Sequence, residues 1–113
     1  MKAAIVVLSD PEAGSEESLG RVFNALASAY EFKQLGDDVT ILFQGAGTRW
    51  AGELSKEDHP AHDLFEAVRD QVAGVSSGCA CVFGATADAE RNGFQLIKAN
   101  AVPQTADFPA FAD

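Results

Sequence analysis

Ala3-Ala4-Ile5-Val6-Val7-Leu8 opens the chain as an unbroken apolar run, the pattern of a strand buried on both faces of a parallel sheet. Ser9 to Ser15 turns polar and contains Pro11 and Gly14, which predicts a loop. Ser15 suits a helix N-cap, and Glu16 and Glu17 complement the positive end of the helix it would start. Leu19, Val22, Phe23, Leu26 and Tyr30 recur at helical spacing and predict a stripe facing the core. Leu35-Gly36 predicts the stop, with Gly36 in the left-handed conformation of a helix end. Val39 to Phe43 is the second buried strand. A strand, a helix and a strand in this space imply a right-handed crossover and parallel pairing.

Gln44 to Thr48 follows as a glycine-containing turn, then a short segment over Trp50 to Leu54. Pro60 is expected in the first turn of a helix that carries Leu64, Phe65, Val68 and Val72 inward and stops at Gly74. Val75 to Cys79 predicts a third strand, with Ala80 to Phe83 beginning a turn or helix. Ala87 to Asn92 looks helical, Gly93 stops it, and Phe94 to Ile97 predicts a fourth strand. From Lys98 the pattern fades, and Phe108 and Phe111 stand alone among Ala, Pro and Asp. The expected organisation is one α/β body over residues 1–97, with an irregular tail over 98–113 that wraps the body or is partly disordered.

Composition narrows the setting. A chain of 113 residues, 47% hydrophobic, fits one domain with a core of its own. The six apolar residues behind Lys2 are too few for a signal-peptide core or a membrane span, so a cytoplasmic protein is expected. A formal charge of −9 disfavours nucleic acid and anionic membranes as partners. Solubility explains that charge more simply than a salt-rich habitat does. Cys79 and Cys81, one residue apart, do not make a disulfide framework.

Ligands of open parallel sheets collect beyond the carboxyl ends of the strands. Three predicted loops reach that edge: Ser9 to Ser15, Gln44 to Arg49 and the turn at Cys79. Cys79 is the main candidate. A cysteine that opens a helix gains from free backbone N–H groups, while Gly78 and Ala80 leave room for a substrate. Arg49, Arg69 or Arg91 would have to fold nearby to offset the negative surroundings. The alternative is an inert, buried cysteine. Cys81 is read as core packing, or else as a second, resolving thiol.

Gly45-Ala46-Gly47-Thr48 resembles a phosphate-cradling turn, and with Arg49 it is a candidate pocket or anion site. Trp50 stands where a dinucleotide fingerprint needs glycine, so tight strand-exit geometry explains the turn better. His59 and His62 lie beside Asp58 and Asp63, but Pro60 interrupts the segment and no third ligand is assigned, so capping is preferred and no metal or other cofactor is expected. Trp50 is read as sealing an interface between copies, with pocket lining as the alternative.

Four segments together resemble the DsrE/DsrF-like family, in a branch of small stand-alone proteins. They are Leu19 to Leu26, Gly45 to Trp50, His59 to Val68, and Cys79-Ala80-Cys81-Val82-Phe83-Gly84. The resemblance runs from Ala3 to about Ile97. It implies a three-layer α/β sandwich around a mainly parallel sheet, of flavodoxin-like topology, assembled as a trimer or hexamer. It also implies a sulfurtransferase, or a carrier that relays sulfur as a cysteine persulfide between donor and acceptor proteins. That role would fall on Cys79. Cys81 stands where a small residue is usual and inherits no role. Ser76 stands where relatives can have a further cysteine, which argues against two-cysteine exchange through that position. Relatives commonly finish with another helix and strand, whereas this chain ends at Asp113. The competing expectation is an oligomeric binding module, without turnover, for a small anion or a partner protein.

Overall fold

The computed structural model describes residues 2–99 together with Ala101, Pro103, Asp107 and Pro109. It has the α/β architecture expected, around an all-parallel four-stranded sheet in the order β1-β2-β3-β4. The strands are β1 (Lys2–Val7), β2 (Asp38–Phe43), β3 (Val72–Ser76) and β4 (Leu96–Ile97). The helices are α1 (Glu16–Gln34), α2 (Trp50–Leu54), α3 (His62–Val68), α4 (Ser77–Val82) and α5 (Thr86–Arg91). Lys2 through Val7 pair in unbroken register with Asp38 through Phe43.

α1 starts and stops where its signals place it. The Ser15 hydroxyl accepts the Ser18 N–H at 3.1 Å, and Gly36 takes φ 76° just past the end. Its buried face is Ser18, Val22, Leu26 and Ala29. Tyr30 turns outward instead, 41% exposed, because Ala29 fills the inward position at that turn. The helix packs on β1, β2 and α3. Below it Phe43, Phe65 and Phe94 form the centre of the core, with ring centroids 5.8–6.4 Å apart.

Three expectations change. β1 is not buried on both faces: Lys2, Ala4 and Val6 are exposed, since an edge strand has one neighbour and only alternate residues reach the core. Leu8 lies past its end, 60% exposed. The helix expected from Pro60 to Gly74 is α3 alone, followed by a 3-10 turn over Arg69–Gln71. Val72 and Gly74 belong to β3, where a Cβ on Gly74 would stand 2.3 Å from the Gln95 carbonyl oxygen. The glycine permits close approach of two backbones rather than a helix stop. Finally, β3 ends at Ser76, so Cys79 lies inside α4 and not on a strand.

Two described residues of the C-terminal segment, Asp107 and Pro109, meet the body. Gly78 N–H donates to the Asp107 carbonyl at 2.6 Å, and Pro109 is buried. Phe108 and Phe111 lie outside the described residues. Among the described residues no helix is long and apolar enough to cross a membrane.

At the far end of the sheet, Lys33 Nζ donates to the Ala67 carbonyl and to Asp70 Oδ1, at 2.8 and 2.9 Å, tying α1 to the end of α3. The Lys33 hydrogen bond, helped by Gln71, holds the Asp70 carboxyl below its ordinary range. A carboxyl lowered on folding adds stability above its unfolded range and loses it as pH falls through the folded value. Asp70→Asn should therefore lower the melting temperature slightly at about pH 7 and leave it unchanged at about pH 2, where both forms are neutral. Equal losses at both pH values would assign the effect to packing instead.

Candidate site at the carboxyl edge of the sheet

The loops after β1, β2 and β3 do meet. After β1, Asp10 caps a 3-10 turn over Pro11–Ala13 through the Glu12 N–H, and its carbonyl accepts from Ser18 Oγ at 2.5 Å. After β2, Gln44 N–H donates to the Val7 carbonyl at 3.0 Å, which binds the two exits together. The turn over Gly45–Arg49 then folds back on β1. A Cβ on Gly47 would stand 2.2 Å from the Val7 carbonyl oxygen. Thr48 is fully buried and donates to the Gly45 carbonyl at 2.8 Å. Gly45, Gly47 and Thr48 are thus occupied in packing one strand exit against another.

Arg49 is the cross-brace. Its Nη1 lies 3.2 Å from both Asp10 oxygens and 3.2 Å from Glu12 Oε2. Its Nε donates to the Phe83 carbonyl at 3.1 Å, and the guanidinium lies over the Phe83 ring. The expected anion ligand is therefore taken up by two carboxylates and the end of α4. Arg69 sits elsewhere, over the rings of Phe65 and Phe94 and donating to the Asn92 carbonyl. Arg91 pairs with Asp88 on the surface.

Trp50 is buried, 2% exposed, and its Nε1 donates to the Ser9 carbonyl at 2.9 Å. That burial corrects its expected place at an interface between copies: the ring locks the β1 exit from inside the subunit. With His59, Glu53, Ser15 and Glu16 it also lines a cavity of about 260 Å³ beside the start of α1. His59 Nδ1 accepts the Ala61 N–H at 3.0 Å, and His62 Nδ1 lies 2.8 Å from the Leu54 carbonyl, so both rings are turned to the backbone. Among the described residues, no three His, Cys, Asp or Glu side chains gather as metal ligands.

The β3 exit holds the thiols. Ser76 is fully buried and caps α4, its Oγ accepting the Cys79 N–H at 3.4 Å. Cys79 is the third residue of the helix, free, and 8% exposed. Its side chain is therefore turned into the body rather than to solvent. Cys81 is free and exposed, next to Val82, which is 72% exposed. The expectation that Cys81 packs in the core is therefore corrected. Within so short a helix, two positions apart means divergent directions, and only Cys79 turns toward the body.

Among the described residues Gln44 Oε1 is buried without a hydrogen-bond partner, just past the end of β2. Sequence reasoning missed four residues here: Ser9 and Asp10, which hold Trp50 and Arg49, Ser76, and Asp107. Ser76 was findable, because Ser-Ser-Gly before a short run is an N-cap signal.

"Uncharacterized protein MJ0733" from Methanocaldococcus jannaschii (strain ATCC 43067 / DSM 2661 / JAL-1 / JCM 10045 / NBRC 100440) is 32% identical over 83 residues, which span 74% of this chain and 67% of that protein. No protein-family profile and no solved structure matches.

Proposed function

The chain belongs to the same family as MJ0733 of Methanocaldococcus jannaschii, and from the thiol at its β3–α4 junction we propose that it is a persulfide sulfur carrier acting through Cys79. One observation carries the proposal: a free cysteine in the first turn of the helix leaving β3, at the edge where three strand exits are braced together. Sites on open parallel sheets form at this edge. The sequence likeness to DsrE/DsrF-like proteins points to the same residue.

The chemistry balances without an outside oxidant or reductant. The Cys79 thiolate attacks the terminal sulfur of a donor persulfide, R–S–SH. The donor's S–S bond breaks, RS⁻ leaves, and Cys79–S–SH forms. In delivery, an acceptor nucleophile takes the outer sulfur and the Cys79 thiolate departs. Cys81, exposed and turned away, takes no part. The partners are then a sulfur-donating protein and an accepting one, in a reducing compartment that keeps both thiols free. A trimer or hexamer of copies would be the working assembly.

Intact-mass spectrometry after exposure to a small persulfide tests this. In the Cys81→Ser background, which removes the exposed thiol, the chain should gain one sulfur atom, and adding Cys79→Ser should abolish the gain. Loading that survives Cys79→Ser in that background, or no loading of Cys81→Ser, would overturn the proposal.

The rival reading, a binding module, has its support in the cavity lined by Trp50 and His59. Its lining offers Glu16 and Glu53, while Arg49 is held by Asp10 and Glu12. A module here would thus favour a neutral or cationic ligand over the small anion expected from the sequence. It predicts a ligand-dependent rise in melting temperature that Cys79→Ser leaves intact.

A further inference from the structure

The two faces of the β1–β2 pair differ. Ala3, Ile5, Val39, Ile41 and Phe43 pack into the core, where α1 lies against both strands. The opposite face carries Lys2, Ala4 and Val6 from β1 and Asp38 and Thr40 from β2, all exposed, with Leu42 beside them at 9%. A parallel sheet is ordinarily covered on both faces. In register, these residues stand as cross-strand pairs: Lys2 with Asp38, Ala4 with Thr40, and Val6 with Leu42. The open face thus runs from one pair of opposite charges through two uncharged pairs. It is a neutral patch on a chain whose formal charge is −9. Among the described residues, neither Lys2 nor Asp38 is held in a salt bridge.

We propose that this face is the interface of a two-fold dimer, covered by a second copy of the same chain. The pairing itself argues for that occupant. A two-fold axis that runs along the strands, between β1 and β2, stacks β1 of one copy on β2 of the other. Lys2 then lies over Asp38 of the second copy, and Asp38 over its Lys2. By the same operation Ala4 meets Thr40 and Val6 meets Leu42, each twice, as an isologous contact requires. Aligned sheets pack about 10 Å apart, a gap that facing side chains span. Two strongly acidic copies would meet here on ground that carries no net charge.

The proposal is independent of the thiol chemistry. Because the axis runs along the strands, the carboxyl edges of both copies lie at the same end of the dimer. Of the assemblies named above, a hexamer with two-fold axes contains this contact and a lone trimer does not.

Sedimentation equilibrium with charge-reversed variants tests it. Wild type should form an assembly with an even number of subunits. Lys2→Glu and Asp38→Lys, each alone, set like charges against each other across the axis. Either should weaken the contact by about tenfold, because every change acts twice. Mixing the two variants should restore association. Each contact between copies then joins an acid to a base, while like charges persist within every chain. An attraction confined to one chain would not be recovered in this way. Val6→Glu should also dissociate the wild-type assembly and leave its circular dichroism unchanged. A wild-type monomer, the result expected if a different protein covers the face, would overturn the proposal, as would a lone trimer. So would a mixture that associates no better than its components, or an assembly that Val6→Glu leaves intact.

Discussion

Phe65→Ala is expected to lower stability by about 3–5 kcal/mol, the range for deleting a fully buried aromatic ring. Phe65 has no exposed surface and stands between two other rings. Its centroid lies 6.4 Å from that of Phe43 on β2 and 5.8 Å from that of Phe94, just before β4. Arg69 lies over both Phe65 and Phe94, so removing the ring also leaves the guanidinium without one of its two faces. The ring joins α3 to β2 and to the chain entering β4, and no neighbour of similar size can collapse into its space without leaving its own position. For a chain of this length the loss is a fall in melting temperature of roughly 12–20 °C. Phe65→Leu should recover more than half of it, because most of the buried volume returns. A fall of only a few degrees for Phe65→Ala would mean that the three rings do not form a common core.

Gly47→Ala is expected to be nearly as damaging, from the addition of one methyl group. The new Cβ would stand 2.2 Å from the Val7 carbonyl oxygen and 2.9 Å from its carbon, distances that backbone atoms cannot yield by rotating a side chain. Either the turn after β2 or the end of β1 must shift. The same backbone carries the Gln44–Val7 hydrogen bond, so the clash spreads to the joint between two strand exits. Overpacking of this kind costs about 2–3 kcal/mol. Its effect should also be visible at the site, since Arg49 and Trp50 follow directly and hold Asp10, Phe83 and Ser9. Trp50 fluorescence should shift as its ring loses the Ser9 carbonyl. Gly36→Ala offers the contrast: nothing lies within 4 Å of its Cβ, and the cost there is that of a left-handed backbone alone. If Gly47→Ala were tolerated as well as Gly36→Ala, the close approach at the β2 exit would be refuted.

The two residues also mark the boundary of what the sequence discloses. Phe65 lies in a periodic apolar stripe, and its burial follows from the spacing of Leu64, Phe65 and Val68. The cap at Ser15 and the stop at Gly36 were equally legible, because local backbone chemistry fixes both. The exposed face of β1 was not. A run of alanine, valine and isoleucine does not reveal that its strand lies at the edge of the sheet, where one face stays open. The limits of β3 were misplaced for a related reason. A strand was expected over Val75 to Cys79 after the stop placed at Gly74, but the Ser76 hydroxyl captures the Cys79 amide and starts a helix.

At the candidate site the sequence located the edge and the thiol but not their surroundings. Convergence of three loops follows from parallel topology, which hydrophobic runs predict. Pairing of Arg49 with Asp10 and Glu12, and of Gly78 with Asp107, joins residues 39, 37 and 29 positions apart, and no local pattern encodes such meetings. The charge of Arg49 suggested an anion site, whereas tertiary contacts spend that charge on a structural brace. Burial of Cys79 against exposure of Cys81 was likewise set by which side of a six-residue helix meets the sheet.

Cyanolysis asks most directly whether Cys79 carries transferable sulfur. Cyanide removes the outer sulfur of a persulfide as thiocyanate and returns the thiolate, and it leaves ordinary thiols alone. After loading with a small persulfide and desalting, Cys81→Ser, which lacks the exposed thiol, should release one thiocyanate per chain, and the same variant carrying Cys79→Ser should release none. Equal thiocyanate from the two variants, or none from Cys81→Ser, would contradict sulfur carriage at this residue.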